Sequence, residues 1–158
     1  MQLEIKGAWD IVAVDLSGRV VWKKHIDNLL MAVNQSVRDA LLMGTYDADD
    51  PATDISIKYF AFGDGTSTPT VNDTRLANER YRKQVTQITN PQAGTVSSAV
   101  SLGTNEAEFV ITEIGVFGGA ATSTANSGTL LSRVLVNIPN NSNIVLNIYR
   151  TDTCSIGG

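Results

Sequence analysis

A chain of 158 residues with 42% hydrophobic and 18% charged side chains can bury the core of one domain without disulfides or metals, and it is lightly charged beside the ~25% of ordinary soluble domains. A net charge of -4 and a pI near 4.8 leave no positive field to gather nucleic acid or an anionic membrane, so neither is an expected partner. The single cysteine, Cys154, excludes an intrachain disulfide, no run approaches the ~20 apolar residues of a membrane span, and the first residues lack the cationic-then-apolar pattern of a signal peptide.

Residues 8–15 and 19–24 are β-rich runs separated by Ser17-Gly18, which predicts a hairpin. Leu29, Val33, Val37 and Leu41 then recur every fourth residue, with Asn34, Gln35 and Arg38 opposite. That spacing predicts an amphipathic helix near residues 28–43, opened by Asp27 or Asn28 and stopped by Gly44. Residues 45–54, with Pro51 and four aspartates, read as a surface loop. Residues 55–62 are β-branched and aromatic and run into the turn Gly63-Asp64-Gly65; a short helical turn over 72–79 and a strand over 81–89 follow.

From residue 94 the pattern is short strands, at 95–102, 107–117, 129–138 and 143–151. The matching alternations of Val134, Val136, Ile138 and of Ile144, Leu146, Ile148 suggest that the last two pair through a hairpin at 139–142. Residues 118–128, small and glycine-rich, read as a mobile excursion, and residues 152–158 as a C-terminal tail ordered only by a neighbour. The expected fold is mainly β: a β-sandwich of about seven strands with one amphipathic helix packed on it, forming a single domain over residues 1–151.

The chemistry is sparse. One histidine, His25, cannot build a triad or a histidine metal site alone, so a surface or structural role is expected. Cys154 reads as an ordinary thiol near the end, with an intermolecular disulfide as the lesser reading. An EF-hand counted from Asp47 would need glycine and a bidentate acid where Ala52 and Lys58 stand, so Asp47, Asp49, Asp50 and Asp54 suit a solvated loop better than an irregular cation site. Gly63-Asp64-Gly65-Thr66 lacks the Gly-Lys-Ser/Thr ending of a phosphate loop.

Arg75, Arg80, Arg82 and Lys83, with Tyr81 among them, form the one basic cluster; Glu79 and the acidic chain favour a protein interface there over nucleic acid. Trp9 and Trp22, in adjoining strands, read as sheet packing rather than ligand platforms. Glu113, between Ile111 and Ile114, would need a partner if buried, and Arg133 or Arg82 could supply a structural ion pair, while Gly115 permits close backbone approach. No set of nucleophile, base and electrophile can be assembled, so neither an enzyme nor a cofactor is expected.

Three segments carry a resemblance. The first is the opening hairpin leading to Asp27-Asn28-Leu29-Leu30; the second runs from Ile57 through Phe62-Gly63-Asp64-Gly65-Thr66 and Pro69 to Asp73-Thr74-Arg75-Leu76-Ala77-Asn78-Glu79. The third is Ile111-Thr112-Glu113-Ile114-Gly115-Val116-Phe117 with Leu130-Leu131-Ser132-Arg133. Together they resemble small structural proteins of tailed bacteriophages, of the tail-fibre, collar or baseplate type or head-associated. The resemblance implies a non-catalytic virion component made in the bacterial host cytoplasm. It implies other virion proteins as partners and homo-oligomerisation, a trimer being favoured over a ring, and it transfers no catalytic residue. A capsid-decoration protein is the alternative, and a carbohydrate-binding receptor module using Trp9, Trp22, Tyr46 or Tyr149 is a second.

Overall fold

The computed structural model describes residues 2–47, 49–50 and 54–157. In chain order the described elements are β1 (Gln2–Asp15), β2 (Val20–Leu30), α1 (Val33–Met43), β3 (Ile57–Gly63), β4 (Glu79–Gln84), β5 (Gln87–Gln92), β6 (Thr95–Leu102), β7 (Val110–Gly118), β8 (Thr129–Pro139) and β9 (Ile144–Gly157). The fold is mainly β, with antiparallel sheets of five and four strands and one short helix. The run expected as a single strand over 81–89 is two strands, because pairing breaks at Val85 and Thr86. The described residues fall into two compact units, one within 1–28, 85–109 and 140–158, the other within 29–84 and 110–139.

The sheet of the first unit has the order β2-β1-β9-β6-β5. Gly18 turns the β1-β2 hairpin at φ 84°, and Asp15 Oδ1 accepts the amides of Ser17 and Arg19, which fixes the turn. Ile11, Ala13, Leu146, Ile148, Val100 and Leu102 point to one buried face, as the two-residue period requires. Trp9 is fully buried on that face, and the buried Arg150 guanidinium lies 5.0 Å over its ring. Trp22 is half-buried and stands opposite Ala13, so the two tryptophans are not cross-strand partners.

Two expectations are corrected in this unit. Residues 152–157 are the end of β9: Thr153 pairs with Lys6, and Cys154 pairs with Ile5 while its amide bonds Gly94 O at 2.7 Å. Starting the first strand at residue 8 left these residues without a partner, whereas β1 begins at Gln2. Asp152 also holds buried Arg150 through two hydrogen bonds, at 2.8 and 2.6 Å. Deleting residues 152–158 is therefore expected to lower stability by roughly 2–3 kcal/mol, read as a fall in the urea midpoint; an unchanged midpoint would show that the ladder adds nothing. The second correction concerns β8 and β9, which do not pair: β9 lies between β1 and β6, and β8 beside β7. Like periodicity fixes which face a side chain takes but not which strand lies alongside.

The sheet of the second unit runs β4-β3-β7-β8, and the last residues of β2 join it through Leu29 opposite Arg133 and Leu30 opposite Ser132. This pairing moves the start of the helix. Residues 28–30, expected as its first turn, are strand, and α1 begins at Val33 with Asn34 Nδ2 donating to Met31 O and Leu131 O. Its end is as expected, with Gly44 at φ 69° and the Thr45 amide reaching back to Ala40 O. Val33 packs on the core formed by Met31, Ala61, Leu76, Phe117 and Leu130. Residues 72–79 form no helical turn; a tight turn closes at Asp73, and Leu76 drops into the core.

Candidate functional site: a buried polar network

β3 delivers its chain to Gly63, and β7 sets Glu113 directly opposite that glycine. Neither Gly63 nor Gly65 carries a side chain, so the backbone of Asn78 and the Glu113 carboxylate occupy the space a Cβ would take. Four donors converge on this fully buried carboxylate. Oε1 accepts the amides of Asn78 at 2.7 Å and Gly65 at 3.1 Å; Oε2 accepts the amide of Ala77 at 3.0 Å and Arg133 Nε at 2.9 Å. Thr112 Oγ1 donates to Gly65 O at 2.8 Å and pins the same turn from the neighbouring position.

Arg133 stands opposite Gly115, two residues along β7 from Glu113 and hence on the same face. A Cβ at 115 would press on Leu76 Cδ2, so this glycine makes room for the core beside the ion pair. The remaining donors of Arg133 are spent on Asp73 Oδ2 at 2.7 Å and on Ser67 O and Oγ at 2.8 and 3.0 Å. One guanidinium thus ties together β7, β8 and the 67–73 segment.

Burial works to raise the Asp73 carboxyl, but the Thr70 hydroxyl and amide and the Arg133 guanidinium outweigh it and hold the group below its ordinary 3.8. The Arg80 guanidinium lowers Asp64 in the same sense. A depressed carboxyl stabilises the fold above its unfolded pKa and loses that contribution as pH falls through 3.8 and below. Urea midpoints are accordingly expected to drop between about pH 5 and about pH 3, and Asp73→Asn to flatten that slope. An unchanged slope in the variant would remove Asp73 from the account.

A second ion pair lies in β4. The register shifts between Phe62 and Gly63, which are opposite Tyr81 and Glu79, so Arg80 is an extra residue and Glu79 and Arg82 share a face despite their odd spacing. Arg82 grips Glu79 at 2.5 and 2.9 Å, with side chains 3% and 1% exposed. Its guanidinium also lies 4.5 Å from the Phe117 ring centroid and donates to Thr122 O and Ser127 O at 2.8 and 3.2 Å. Glu79 Oε2 in turn accepts the Asn126 amide at 2.7 Å. Residues 118–128, expected to be mobile, are tied to the sheet by this pair.

The structure thus brings Glu113 to Arg133, and Arg82 to Glu79 instead. Of the other basic-cluster residues, Arg75 is exposed, Arg80 reaches Asp64 at 2.7 Å, and Tyr81 is half-buried with its ring 6.5 Å from that of Phe62. Cys154 is an exposed free thiol of the first unit. Sequence reasoning missed Asp73, Glu79 and Asp152 as partners; Asp152, two residues from Arg150 in a strand, was the readable one.

His25 is exposed, with Nδ1 2.7 Å from Asp10 Oδ1. Among the described residues no group of three or more His, Cys, Asp or Glu is placed to hold a metal. The acidic-loop expectation falls partly outside them, at 48 and 51–53; Asp47 accepts the Asp49 amide and Asp54 pairs with Lys58 at 3.1 Å.

The close packing of the network gives a test. In Gly65→Ala the added methyl would meet Glu113 Oε1, Ala77 Cβ and the Asn78 amide, which form the floor of the network and are themselves fixed. The substitution is expected to cost about 1–3 kcal/mol, read by thermal denaturation. A neutral result would show that the 63–65 turn can give way.

The segments so joined coincide with a known family. The family described as phage tail-collar fibre protein, N-terminal, matches residues 46–125, just over half of the chain. No curated protein sequence and no solved structure matches it. With Gly63, Gly65, Asn78, Glu79 and Glu113 all inside the matched span, the chain belongs to the phage tail-collar fibre protein N-terminal family and is a structural protein of a phage tail.

Proposed function

We propose that this chain is a non-catalytic virion component, assembled in the tail, collar or baseplate region through protein-protein contacts with other virion proteins and with copies of itself. The observation that carries this reading is the use made of the family segments. Their charged side chains at Glu113, Glu79 and Arg82 are saturated by one another, by Arg133 beyond the matched span and by backbone groups, so they hold the scaffold and offer no reactive centre. A trimer is favoured by virion symmetry, with a ring as the other closed form. Synthesis in the host cytoplasm belongs to the same proposal.

Exposed Arg75 and the apolar end of α1, at Leu42 and Met43, are surfaces suited to partner proteins. A sugar-stacking role has little support from Trp9, which is buried beneath Arg150. Immunogold electron microscopy of the source phage, with an antibody against this chain, tests the reading. Label on the tail, neck or baseplate is expected. Label spread over the head would instead favour capsid decoration.

A further inference from the structure

A trimer or a ring closes through a head-to-tail contact, in which two different patches of each copy meet, so the self-assembly proposed above asks for one projecting patch and one that receives it. The first unit supplies a projection. Leu16, at 69% the most exposed large apolar residue described in that unit, stands in the turn of the β1-β2 hairpin, with exposed Val20 and Val21 behind it. Turns favour Gly, Asn, Asp and Ser, so a leucine here works against local chemistry. The turn is braced all the same: Asp15 Oδ1 accepts the amides of Ser17 and Arg19 and the Ser17 hydroxyl, and the Asp15 amide donates to Arg19 O. Leu16 is thus held out on a firm support, and little freedom remains to be lost when it docks. Arg19 projects beside it, its side chain 83% exposed.

The second unit supplies a recess of about 400 Å³, lined by residues of that unit alone. Its floor is buried Met31 and Leu130, its rim is half-buried Val33 and exposed Val71, and Asp73 is the one charged residue of its lining. Two carboxylates, Glu113 and Asp73, share the single Arg133 guanidinium, so the wall keeps a negative charge for a cation to answer. Leu42 and Met43, at the end of α1, are exposed and apolar too, but the last turn of that helix holds no basic residue to accompany them. The recess is also out of reach of its own chain's hairpin. β2 is extended from Val20 to Asn28 within the first unit, which sets the tip roughly 26 Å from the point where the chain leaves that unit, and Met31 follows only three residues later.

We infer that the hairpin tip of one copy seats in the recess of the next: Leu16 enters against Met31 and Leu130, Val71 closes over it, and Arg19 lies toward Asp73. The occupant is a second copy of this chain, selected by its apolar tip and the adjoining cation. This contact presupposes the self-assembly proposed above and names the two patches that carry it. A hairpin tip covers less than the ~1,200–2,000 Å² of a standing interface, so one contact alone is weak and the closed form gains from all of them being made together.

Disulfide trapping and sedimentation velocity of the full chain test the contact. In a Cys154→Ser background, Leu16→Cys combined with Val71→Cys in one chain should give, on air oxidation, covalent oligomers up to the closed form. Each single variant should give none, and an equimolar mixture of the two should stop at a cross-linked pair. Leu16→Asp, Val71→Asp and Arg19→Glu, all at exposed positions, should keep the parent's circular dichroism and thermal midpoint while weakening association ten-fold or more. Oligomers indifferent to these substitutions, no cross-link between positions 16 and 71, or cross-links from Leu16→Cys alone would overturn the seating of the tip in the recess and leave self-assembly standing. A chain monomeric at every concentration would overturn both.

Discussion

Glu113→Ala is expected to destabilise the protein by about 3–5 kcal/mol, with a thermal midpoint roughly 10 °C lower. The substitution strips the acceptor from the amides of Gly65, Ala77 and Asn78 and from Arg133 Nε in one step. Three part-buried amides and the buried Arg133 Nε then lose their acceptor, and the guanidinium keeps only Asp73 as a counter-charge. Glu113→Gln preserves the shape but turns an amino group toward donors, so an intermediate loss is expected. Combining Glu113→Gln with Arg133→Met should cost less than the sum of the single changes, because removing both charges removes the uncompensated one. Chemical unfolding followed by circular dichroism reads all three. A loss below about 1 kcal/mol for Glu113→Ala would mean that water replaces the carboxylate freely and the network is not a core element.

Arg82→Ala should cost a similar amount, about 3–4 kcal/mol, and have a second, local effect. It leaves the Glu79 carboxylate buried with only the Asn126 amide among the partners described above, and it removes the cation from the Phe117 and Tyr59 rings. It also frees the carbonyls of Thr122 and Ser127, so residues 119–128 lose their tether. Limited proteolysis with a broad-specificity protease should cut the variant in that loop well before the parent. Arg82→Lys retains the charge without the fork and should rescue stability only in part. A variant as resistant as the parent would assign the tether to the loop's own bonds, such as Ser127 Oγ to Thr124 O at 2.6 Å.

What the sequence discloses depends on the reach of the chemistry. The Ser17-Gly18 turn, the stop at Gly44 and the strand at 95–102 are set by neighbours in the chain and were readable there. The start of α1 was not, because Leu29 and Leu30 are drawn into a strand by residues a hundred positions away. The partner of Glu113 had two candidates in the sequence, and the choice between them follows from which arginine lies opposite Gly115. Glu79 and Arg82 were concealed by parity: odd spacing in a strand reads as opposite faces until a bulge at Arg80 restores them to one.

The place of β9 has a consequence in time. The four strands of the second unit's sheet are complete once residue 139 has been made, so that sheet can close while synthesis continues. The sheet of the first unit cannot, because the strand that lies between β1 and β6 is the last to be made. Until it arrives, β1 and β6 each hold one side open to any strand nearby, and in a cell producing many copies at once that strand can belong to another chain.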